Sequence, residues 1–316
     1  MHSLVIPVFR NEDTIDALVE SLCELRRRMN EPLEVVFVVD GSPDRSFAML
    51  KGRLQDSPLR AELVLLSRNF GSFAAIRHGL AVAQGPNFAV MAADLQEPIQ
   101  LIEQFFDELQ SQEFDVVVGQ RTDRNDPWFT RVSSNLFWWF YRRLVQPEMP
   151  VGGVDVFGCN QTARNALLKL EESHTSLVGQ LIWLGFRRKA LPYVRAPRAA
   201  GRSAWTLQKK VRYMLDSVFA FTDLPIAMLS LVGVAGIALS MLLSIVVFLS
   251  WSAGWIAVSG YTPLMLGLLT STSSILLGLG IVGAYVWRVF ENSKRRPLTV
   301  SLLRESFADM DDEKKK

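Results

Sequence analysis

Apolar and polar positions follow two alternating periods over the first 120 residues of the chain. Short runs rich in Val, Leu and Phe predict buried strands, and segments with apolar residues every three or four positions predict helices. The predicted strands cover residues 4–9, 34–39, 62–67, 87–93 and 114–119, and the predicted helices cover residues 13–29, 46–54, 73–83 and 99–110. This alternation predicts an α/β domain in which helices cover both faces of a parallel sheet.

The hydropathy of the chain changes in its C-terminal third. No Asp, Glu, Lys, Arg or His occurs from Leu224 to Trp287. A membrane-crossing helix needs roughly 20 apolar residues, so residues 225–249 and 264–287 predict two transmembrane helices with a short loop at 250–263. Basic residues flank this region on both sides, which predicts that both chain termini are cytoplasmic. They are Arg198, Arg202, Lys209, Lys210 and Arg212 before it, and Arg288, Lys294, Arg295 and Arg296 after it.

Two amphipathic segments precede the apolar region. Residues 129–144 mix aromatic rings with arginines, and residues 206–222 combine an apolar face with lysines. Both patterns are typical of helices at a membrane surface, although ordinary core packing is an alternative for the first. The predicted organisation is a cytoplasmic α/β domain at 1–200, an interfacial helix and linker at 201–223, transmembrane helices at 224–290 and a cytoplasmic tail at 291–316, with 309–316 disordered.

Composition excludes several classes of protein. A net charge of only +2 argues against a general nucleic-acid binder. The two cysteines stand apart and the three histidines are scattered, which predicts buried reduced thiols and no zinc site. The first apolar run is too short for a signal peptide and is followed at once by Arg10, Asn11 and Glu12. We therefore expect the α/β domain to stay on the cytoplasmic side.

Acidic residues follow three of the predicted strands, namely Glu12, Asp40 and Asp94. Ligands of parallel α/β sheets bind beyond the carboxyl ends of the strands. Each of these residues alone is equally compatible with a helix cap or a turn. Three of them at one edge favour a binding site.

Short motifs around these residues occur in a fixed order along the chain. They are VIPVFRNE at 5–12, DGSPD at 40–44, RNFG at 68–71 and ADLQEP at 93–98. Together they resemble the inverting glycosyltransferases of family 2, and among these the polyprenyl-phosphate glycosyltransferases, which include bactoprenol glucosyltransferases and dolichol-phosphate mannose synthase. The segments GGVDVF at 152–157 and RAAGRSAW at 198–205 and the two apolar spans extend the resemblance over residues 3–296. It implies a GT-A, Rossmann-like catalytic domain.

The resemblance also implies roles for individual residues. The nucleotide-sugar pocket would contain Pro7, Glu12, Asp40, Ser42 and Asp94, with Arg202, Ser203 and Trp205 in a loop that closes over the donor. Asp94 and Gln96 would hold Mg²⁺ or Mn²⁺ on the donor diphosphate. The family usually has an aspartate where this chain has Ala92, so metal binding is expected to depend more on the remaining ligands.

The acceptor implied by the resemblance is a phosphate, which is deprotonated near neutral pH and needs little help from a general base. Guanidinium groups match its geometry, and the candidates for binding it are Arg121, Arg131 and Arg198. The expected catalytic residues are therefore Asp94, Gln96, Arg121 and Arg131.

The expected function is transfer of one sugar, with inversion, from a nucleotide-sugar to a polyprenyl phosphate such as undecaprenyl phosphate. UDP-glucose is the favoured donor, the site is the cytoplasmic face of the inner (plasma) membrane, and the product would serve surface glycan modification. A polysaccharide-elongating transferase is disfavoured because Gln208 is followed by Lys209 and Lys210 instead of a Q-x-x-R-W element. Ala92 keeps a non-catalytic membrane scaffold that binds nucleotide-sugars open as an alternative. A homo-oligomer is compatible with either function, and the sequence does not specify one.

Overall fold

The chain forms two compact units. A computed structural model describes every residue except 123–138, 140, 144, 151–152, 173–174, 197–206, 254–260 and 309–316. The first unit comprises Met1–Tyr213 and Arg296–Lys316, and the second comprises Met214–Arg295. The chain therefore leaves the first unit once and returns to it.

The first unit contains an eight-stranded sheet. Its strands are β1 (His2–Val8), β2 (Leu33–Val39), β3 (Arg60–Leu66), β4 (Asn87–Val90), β5 (Val116–Arg121), β6 (Phe157–Asn160), β7 (Arg188–Tyr193) and β8 (Ser301–Phe307). They lie in the order β7-β5-β6-β4-β1-β2-β3-β8. The described helices of this unit are a 3-10 helix (Glu12–Thr14), α1 (Ile15–Arg28), α2 (Ser46–Gln55), α3 (Ser72–Val82), α4 (Ile99–Gln110), α5 (Gln161–Leu168) and α6 (Leu177–Trp183).

Helices bury both faces of this sheet, as the apolar runs predict. In β2, Phe37 joins a core formed with α1, α2 and α4, whereas its neighbours Val36 and Val38 join a second core formed with α3, α5 and α6. All three side chains are fully buried. Because successive side chains of a strand point to opposite faces, a strand that is covered on both faces is apolar at nearly every position. The strands and helices predicted over the first 120 residues are all present, with ends displaced by a few residues at most.

The five strands of the first 120 residues run parallel to one another, as predicted, but the complete sheet is mixed because two later strands run the opposite way. β1 pairs in parallel with β2 and β4, β2 with β3, and β5 with β7. β6 lies antiparallel between β4 and β5, and β8 lies antiparallel to β3 at the edge. Both reversed strands come from sequence beyond residue 120, where the strand–helix alternation had ended.

The C-terminal strand β8 is attached to the sheet by side chains as well as by its backbone. Arg304 and Ser306 both donate hydrogen bonds to Glu62 of β3, at 2.8 and 2.7 Å. Lys51 of α2 pairs with Glu305 at 2.6 Å. Residues 301–307, which the sequence analysis placed in a tail, therefore belong to the catalytic sheet.

The remaining helices are the amphipathic α7 (Leu207–Phe221) and two long, mainly apolar helices, α8 (Leu224–Ser252) and α9 (Tyr261–Ser293). Within the second unit, Gly278 of α9 faces Leu229 of α8, and Arg288 of α9 pairs with Asp216 of α7 at 2.7 Å. Many apolar side chains of α8 and α9 are more than half exposed, as is typical of lipid-facing helices; they include Leu231, Leu239, Leu276 and Val286.

The helices cover both predicted spans, but the evidence for membrane crossing is narrower. Among the described residues, the segment Ser274–Ser293 has the length and apolar composition to cross a membrane. Met214–Phe221 and Leu224–Gly236 meet the same criterion only when taken together across a bend. Length and composition thus support one crossing helix, or up to two, and the pair of transmembrane helices stays a prediction.

Candidate active site

The loops that follow β1 and β2 are joined by hydrogen bonds at the carboxyl edge of the sheet. The backbone N–H of Arg10 donates to Ser42 Oγ at 2.8 Å, and the N–H of Glu12 donates to Asp44 Oδ2 at 3.2 Å. In return, Glu12 Oε2 accepts from the N–H of Arg45 at 3.1 Å. Two predicted nucleotide-binding residues, Glu12 and Ser42, are therefore held in one network.

Asp40 joins the loop after β2 to the loop after β3. Its side chain is buried, and its two carboxylate oxygens accept the backbone N–H groups of Phe70 at 2.7 Å and Gly71 at 2.9 Å. Burial raises the pKa of Asp40, and these hydrogen bonds oppose the rise. Pro7 lies on β1 beside Val38 in the parallel register, and so reaches the same edge.

Gly41 is required where these loops meet. Its φ of +56° lies in the left-handed region, and a Cβ atom at this position would lie 2.3 Å from the backbone carbonyl carbon of Arg68. Only glycine allows both the conformation and the close approach. The loop that carries Asp40 and Ser42 is thus fixed by steric contact as well as by hydrogen bonds.

Asp94 lies in a tight turn after β4. Its side chain is 8% exposed, and Oδ1 accepts the N–H of Gln96 at 3.4 Å. Leu95, between them, has a φ of +55°, a conformation that costs a non-glycine residue about 1–2 kcal/mol. Strain of this kind persists where the surroundings determine the backbone, as they often do at functional sites.

Contacts on two sides determine that turn. Thr14 Oγ1 donates to the carbonyl of Ala93 at 3.0 Å, which connects the turn to the 3-10 helix after β1. On the other side, Gln96 Nε2 donates to the carbonyl of Ala196 at 3.1 Å, and the N–H of Ala196 donates to the carbonyl of Gln96 at 2.9 Å. The amide of Gln96 therefore has a fixed orientation beside Asp94.

Four charged side chains lie next to this turn: Glu97, Arg121, Asp155 and Arg195, here called the charge cluster. Arg121 Nη2 contacts Asp155 Oδ2, and Arg195 Nη1 lies 3.9 Å from the same oxygen. Arg195 Nε lies 3.6 Å from Glu97 Oε1. The hydroxyl of Tyr193 donates to Asp155 Oδ2 at 3.4 Å. Among the described residues, neither carboxylate oxygen of Glu97 has a hydrogen-bond partner.

Glu97 is the most strongly perturbed acid of the charge cluster. Its side chain is 1% exposed. Burial, reinforced by repulsion from Asp94 and Asp155, raises the pKa of Glu97 to about 8 against the opposing effect of Arg121. Burial and the neighbouring carboxylates therefore favour the neutral form of Glu97.

The described residues supply part of a metal site. The carboxylate of Asp94 and the amide oxygen of Gln96 are the hard oxygen ligands that Mg²⁺ and Mn²⁺ favour. Among the described residues, no group of three or more His, Cys, Asp or Glu is arranged to hold a metal ion. These two ligands fit a cation that takes its remaining ligands from water and substrate phosphates, as Mg²⁺ usually does.

The structure brings most of the predicted site residues that it describes to one sheet edge. Arg121 also lies at this edge, where it is paired with Asp155. Five predicted residues lie outside the described part of the chain: Arg131, Arg198, Arg202, Ser203 and Trp205. The sequence analysis assigned no role to Glu97, Asp155, Tyr193 or Arg195. Glu97 and Asp155 lie inside motifs that the sequence analysis quoted, and Arg195 lies three residues before Arg198. Their positions in or beside these motifs are the signal by which the sequence could have identified them.

A mixed α/β sheet with acidic loops at its carboxyl edge is an arrangement typical of nucleotide-binding enzymes. Residues 3–170, more than half of the chain, match the family model described as "Glycosyl transferase family 2". The chain belongs to this family. It is a glycosyltransferase, and its fold is the GT-A fold.

Three curated relatives resemble the chain over nearly its whole length. "Uncharacterized glycosyltransferase sll0501" from Synechocystis is 30% identical, with 94% of this chain and 93% of the relative aligned. "Undecaprenyl-phosphate 4-deoxy-4-formamido-L-arabinose transferase" from Pectobacterium atrosepticum is 30% identical, with 93% and 90% aligned. "Bactoprenol glucosyl transferase" from Shigella phage SfV is 27% identical, with 93% and 96% aligned. The similarity therefore includes the C-terminal helices.

Replacing Gly41 with alanine is expected to destabilise the first unit by about 2–4 kcal/mol, because a Cβ atom would collide with the backbone at Arg68 and strain a positive φ. Gly52, in α2, is the matched control, since nothing lies within 4 Å of its added Cβ. Gly52→Ala should stabilise the protein by about 0.5–1 kcal/mol. Thermal unfolding of the full chain in detergent measures both. Equal melting temperatures for the two variants would contradict the close approach.

Replacing Glu97 with glutamine is expected to stabilise the protein relative to wild type, and this gain in stability should increase with pH. A carboxyl whose pKa is raised on folding makes the wild type less stable as pH increases from its ordinary value to about 8, and glutamine cannot ionise. Measured with EDTA, Glu97→Gln should gain about 1–3 kcal/mol over wild type between about pH 5.5 and pH 8.5. Glu24→Gln, at an exposed carboxylate of α1, should show no such trend. A difference for Glu97→Gln that shrinks with pH would contradict the burial argument.

Proposed function

We propose that this glycosyltransferase transfers a single sugar from a nucleotide-sugar to a polyprenyl phosphate, with undecaprenyl phosphate as the acceptor. One observation carries the proposal: the turn with Asp94 and Gln96 lies beside the arginines of the charge cluster, at the carboxyl edge of one sheet. Acidic and amide groups suit a metal-bound diphosphate, and guanidinium groups suit a second phosphate. The names of the Pectobacterium and Shigella phage relatives, which align over almost the whole chain, support a lipid phosphate as that second phosphate.

The nucleotide is assigned to the loops after β1, β2 and β3. Pro7, Glu12 and Ser42 line this region in the proposal, and Asp40 orients it through the N–H groups of Phe70 and Gly71. Preorganised loops lower the cost of ordering the site when a ligand binds. UDP-glucose is the proposed donor, by analogy with the glucosyl transferase of the phage. The sugar named for the Pectobacterium relative is the competing choice.

A divalent cation is proposed to bind Asp94 and Gln96 together with the donor diphosphate. When bound, Mg²⁺ or Mn²⁺ would neutralise charge that develops on the departing nucleotide diphosphate. The hydrogen bond from Gln96 Nε2 to Ala196 leaves the amide oxygen of Gln96 available as a ligand. Alanine at position 92 leaves Asp94 as the carboxylate of this motif, so its loss should be costly.

The chemical step is a single displacement. A phosphate oxygen of the acceptor forms a bond to the anomeric carbon as the bond from that carbon to the nucleotide diphosphate breaks. The attacking oxygen carries the negative charge that the leaving diphosphate gains, so no proton has to be removed in the step. Arg121 is proposed to position the acceptor phosphate, with Arg131 and Arg198 as further candidates from the sequence. An α-linked donor would yield a β-linked glycosyl phosphate lipid.

The path of the chain supports two membrane crossings. The chain leaves the first unit at Tyr213 and re-enters it by Arg296, and β8 then pairs with β3 of the catalytic sheet. A unit that stays on one side of a membrane requires an even number of crossings between its exit and its return. If the segment Ser274–Ser293 crosses, α8 must cross as well. The basic flanks favour the cytoplasmic face of the inner (plasma) membrane for the catalytic unit, with both termini on that side.

Ala92 favours one alternative, a membrane protein that binds nucleotide-sugars without turnover. The described residues hold no group of three metal-binding side chains, which is compatible with weak metal binding. Such a protein would bind UDP but form no glycolipid. The two functions are separated by the product assay below.

The full chain, incubated in detergent with undecaprenyl phosphate, Mg²⁺ or Mn²⁺ and separate UDP- and GDP-sugars, is expected to form a lipid-linked sugar detectable by mass spectrometry. Asp94→Asn should lower the rate by about 100-fold or more, because it removes a charged metal ligand. Asp107→Asn, on α4, is the matched control and should leave the rate unchanged. Absence of product from every donor, with a folded protein that binds UDP, would establish the non-catalytic alternative.

Cysteine labelling tests the two crossings. A cysteine at Ser259, in the predicted loop between the helices, is expected to react with a membrane-impermeant maleimide added to intact cells or spheroplasts. A cysteine at Ser293, at the end of α9, should react only after the membrane is permeabilised, because the basic flank keeps it in the cytoplasm. Labelling of both positions from the same side would contradict the topology.

A further inference from the structure

The charge cluster contains an arginine, Arg195, to which the motifs assign no role. β5 and β7 are parallel neighbours in which Arg121 lies opposite Tyr193, so Arg195 follows two residues beyond the end of β7 at the same edge as Arg121. Both guanidinium groups approach one atom, Oδ2 of Asp155. Their side chains are 20% and 25% exposed, so each remains accessible from solvent.

Within the described part of the chain, Arg195 makes little use of its hydrogen-bonding capacity. Its contacts with Glu97 and Asp155, at 3.6 and 3.9 Å, are longer than hydrogen bonds. Its Nε is shielded from water and has no hydrogen-bond partner among the described residues. A guanidinium carries five N–H donors, and leaving a buried one such as Nε–H unpaired is costly. The arrangement suggests that a ligand supplies the missing acceptors.

The chemistry of the site favours a phosphate as that ligand. Two guanidinium groups that flank one carboxylate are arranged for an oxyanion, and phosphate offers acceptors in the geometry that arginine binds in pairs. The phosphate could come from the lipid acceptor or from the donor diphosphate. The donor is already assigned to the turn with Asp94 and Gln96, and Arg195 shares its carboxylate with Arg121, which is assigned to the acceptor.

We propose that Arg195 and Arg121 together bind the phosphate of the lipid acceptor, and that Arg195 exchanges its long contact with Asp155 for hydrogen bonds to phosphate oxygens. This inference rests on the proposed function.

Direct binding tests the proposal without turnover. Farnesyl phosphate, a short polyprenyl monophosphate, and UDP with Mn²⁺ are titrated separately into the full chain in detergent by calorimetry. Arg195→Gln should weaken farnesyl phosphate binding by about tenfold or more, the usual effect of losing a charge-assisted hydrogen bond. Arg195→Lys, which keeps the charge but loses the paired geometry, should fall between this variant and wild type.

Arg187→Gln is the matched control. It removes the same charge from the catalytic unit, but Arg187 pairs with Asp115 on an exposed surface. It should bind both ligands as wild type does, and UDP affinity should change less than about threefold in either Arg195 variant. Melting temperatures establish that each variant is folded, and the lysine variant provides the test if the glutamine variant is not.

Three results would overturn the inference, and they are distinguishable. Unchanged farnesyl phosphate affinity in folded Arg195 variants would show that Arg195 does not bind the acceptor. Loss of UDP affinity equal to the loss of farnesyl phosphate affinity would assign Arg195 to the donor diphosphate. A wild-type chain that neither binds farnesyl phosphate nor forms a lipid product would overturn the proposed function itself.

Discussion

The candidate site depends on the contact between the loops that follow β2 and β3. Asp40 accepts two backbone N–H groups from the second loop, and Gly41 lies against the backbone at Arg68. Buried backbone donors must be paired, and a carboxylate with two such donors resists displacement. The loop after β1 is in turn joined to Ser42 and Asp44, so the nucleotide region is rigid before any ligand arrives.

In the other half of the site, which contains the charge cluster, the charged and polar groups are less completely paired. Buried ion pairs are stable only when geometry and hydrogen bonds are good. Arg121 contacts Asp155 directly, but among the described residues Arg121, Glu97 and Arg195 all keep buried polar atoms without hydrogen-bond partners. A metal-bound diphosphate and a lipid phosphate would supply the missing charge and acceptors. The imbalance of the free protein is thus what would be expected of a site that binds two anions and a cation.

The sequence predicted the strands and helices of the first 120 residues because their periodicity follows directly from burial on both sheet faces. It did not predict β6, β7 or β8. β6 has only four residues, and β7 and β8 bury few of their side chains, so none of the three carries a strong pattern. The acidic residues at the strand ends could be predicted because the topology of a parallel sheet brings the carboxyl ends of its strands to one edge. The pairing of Arg121 with Asp155, and the position of Arg195, depend on contacts between segments distant in sequence, which periodicity does not encode.

The central claim is that one edge of the sheet binds the donor between Asp40 and Asp94. The most direct test is an experimental structure of the full chain with UDP and Mn²⁺, by cryo-electron microscopy or crystallography. The account predicts that the nucleoside lies against the loops after β1 and β2, with the diphosphate and the metal ion at Asp94 and Gln96. UDP bound away from this edge, or a diphosphate that contacts neither residue, would contradict it.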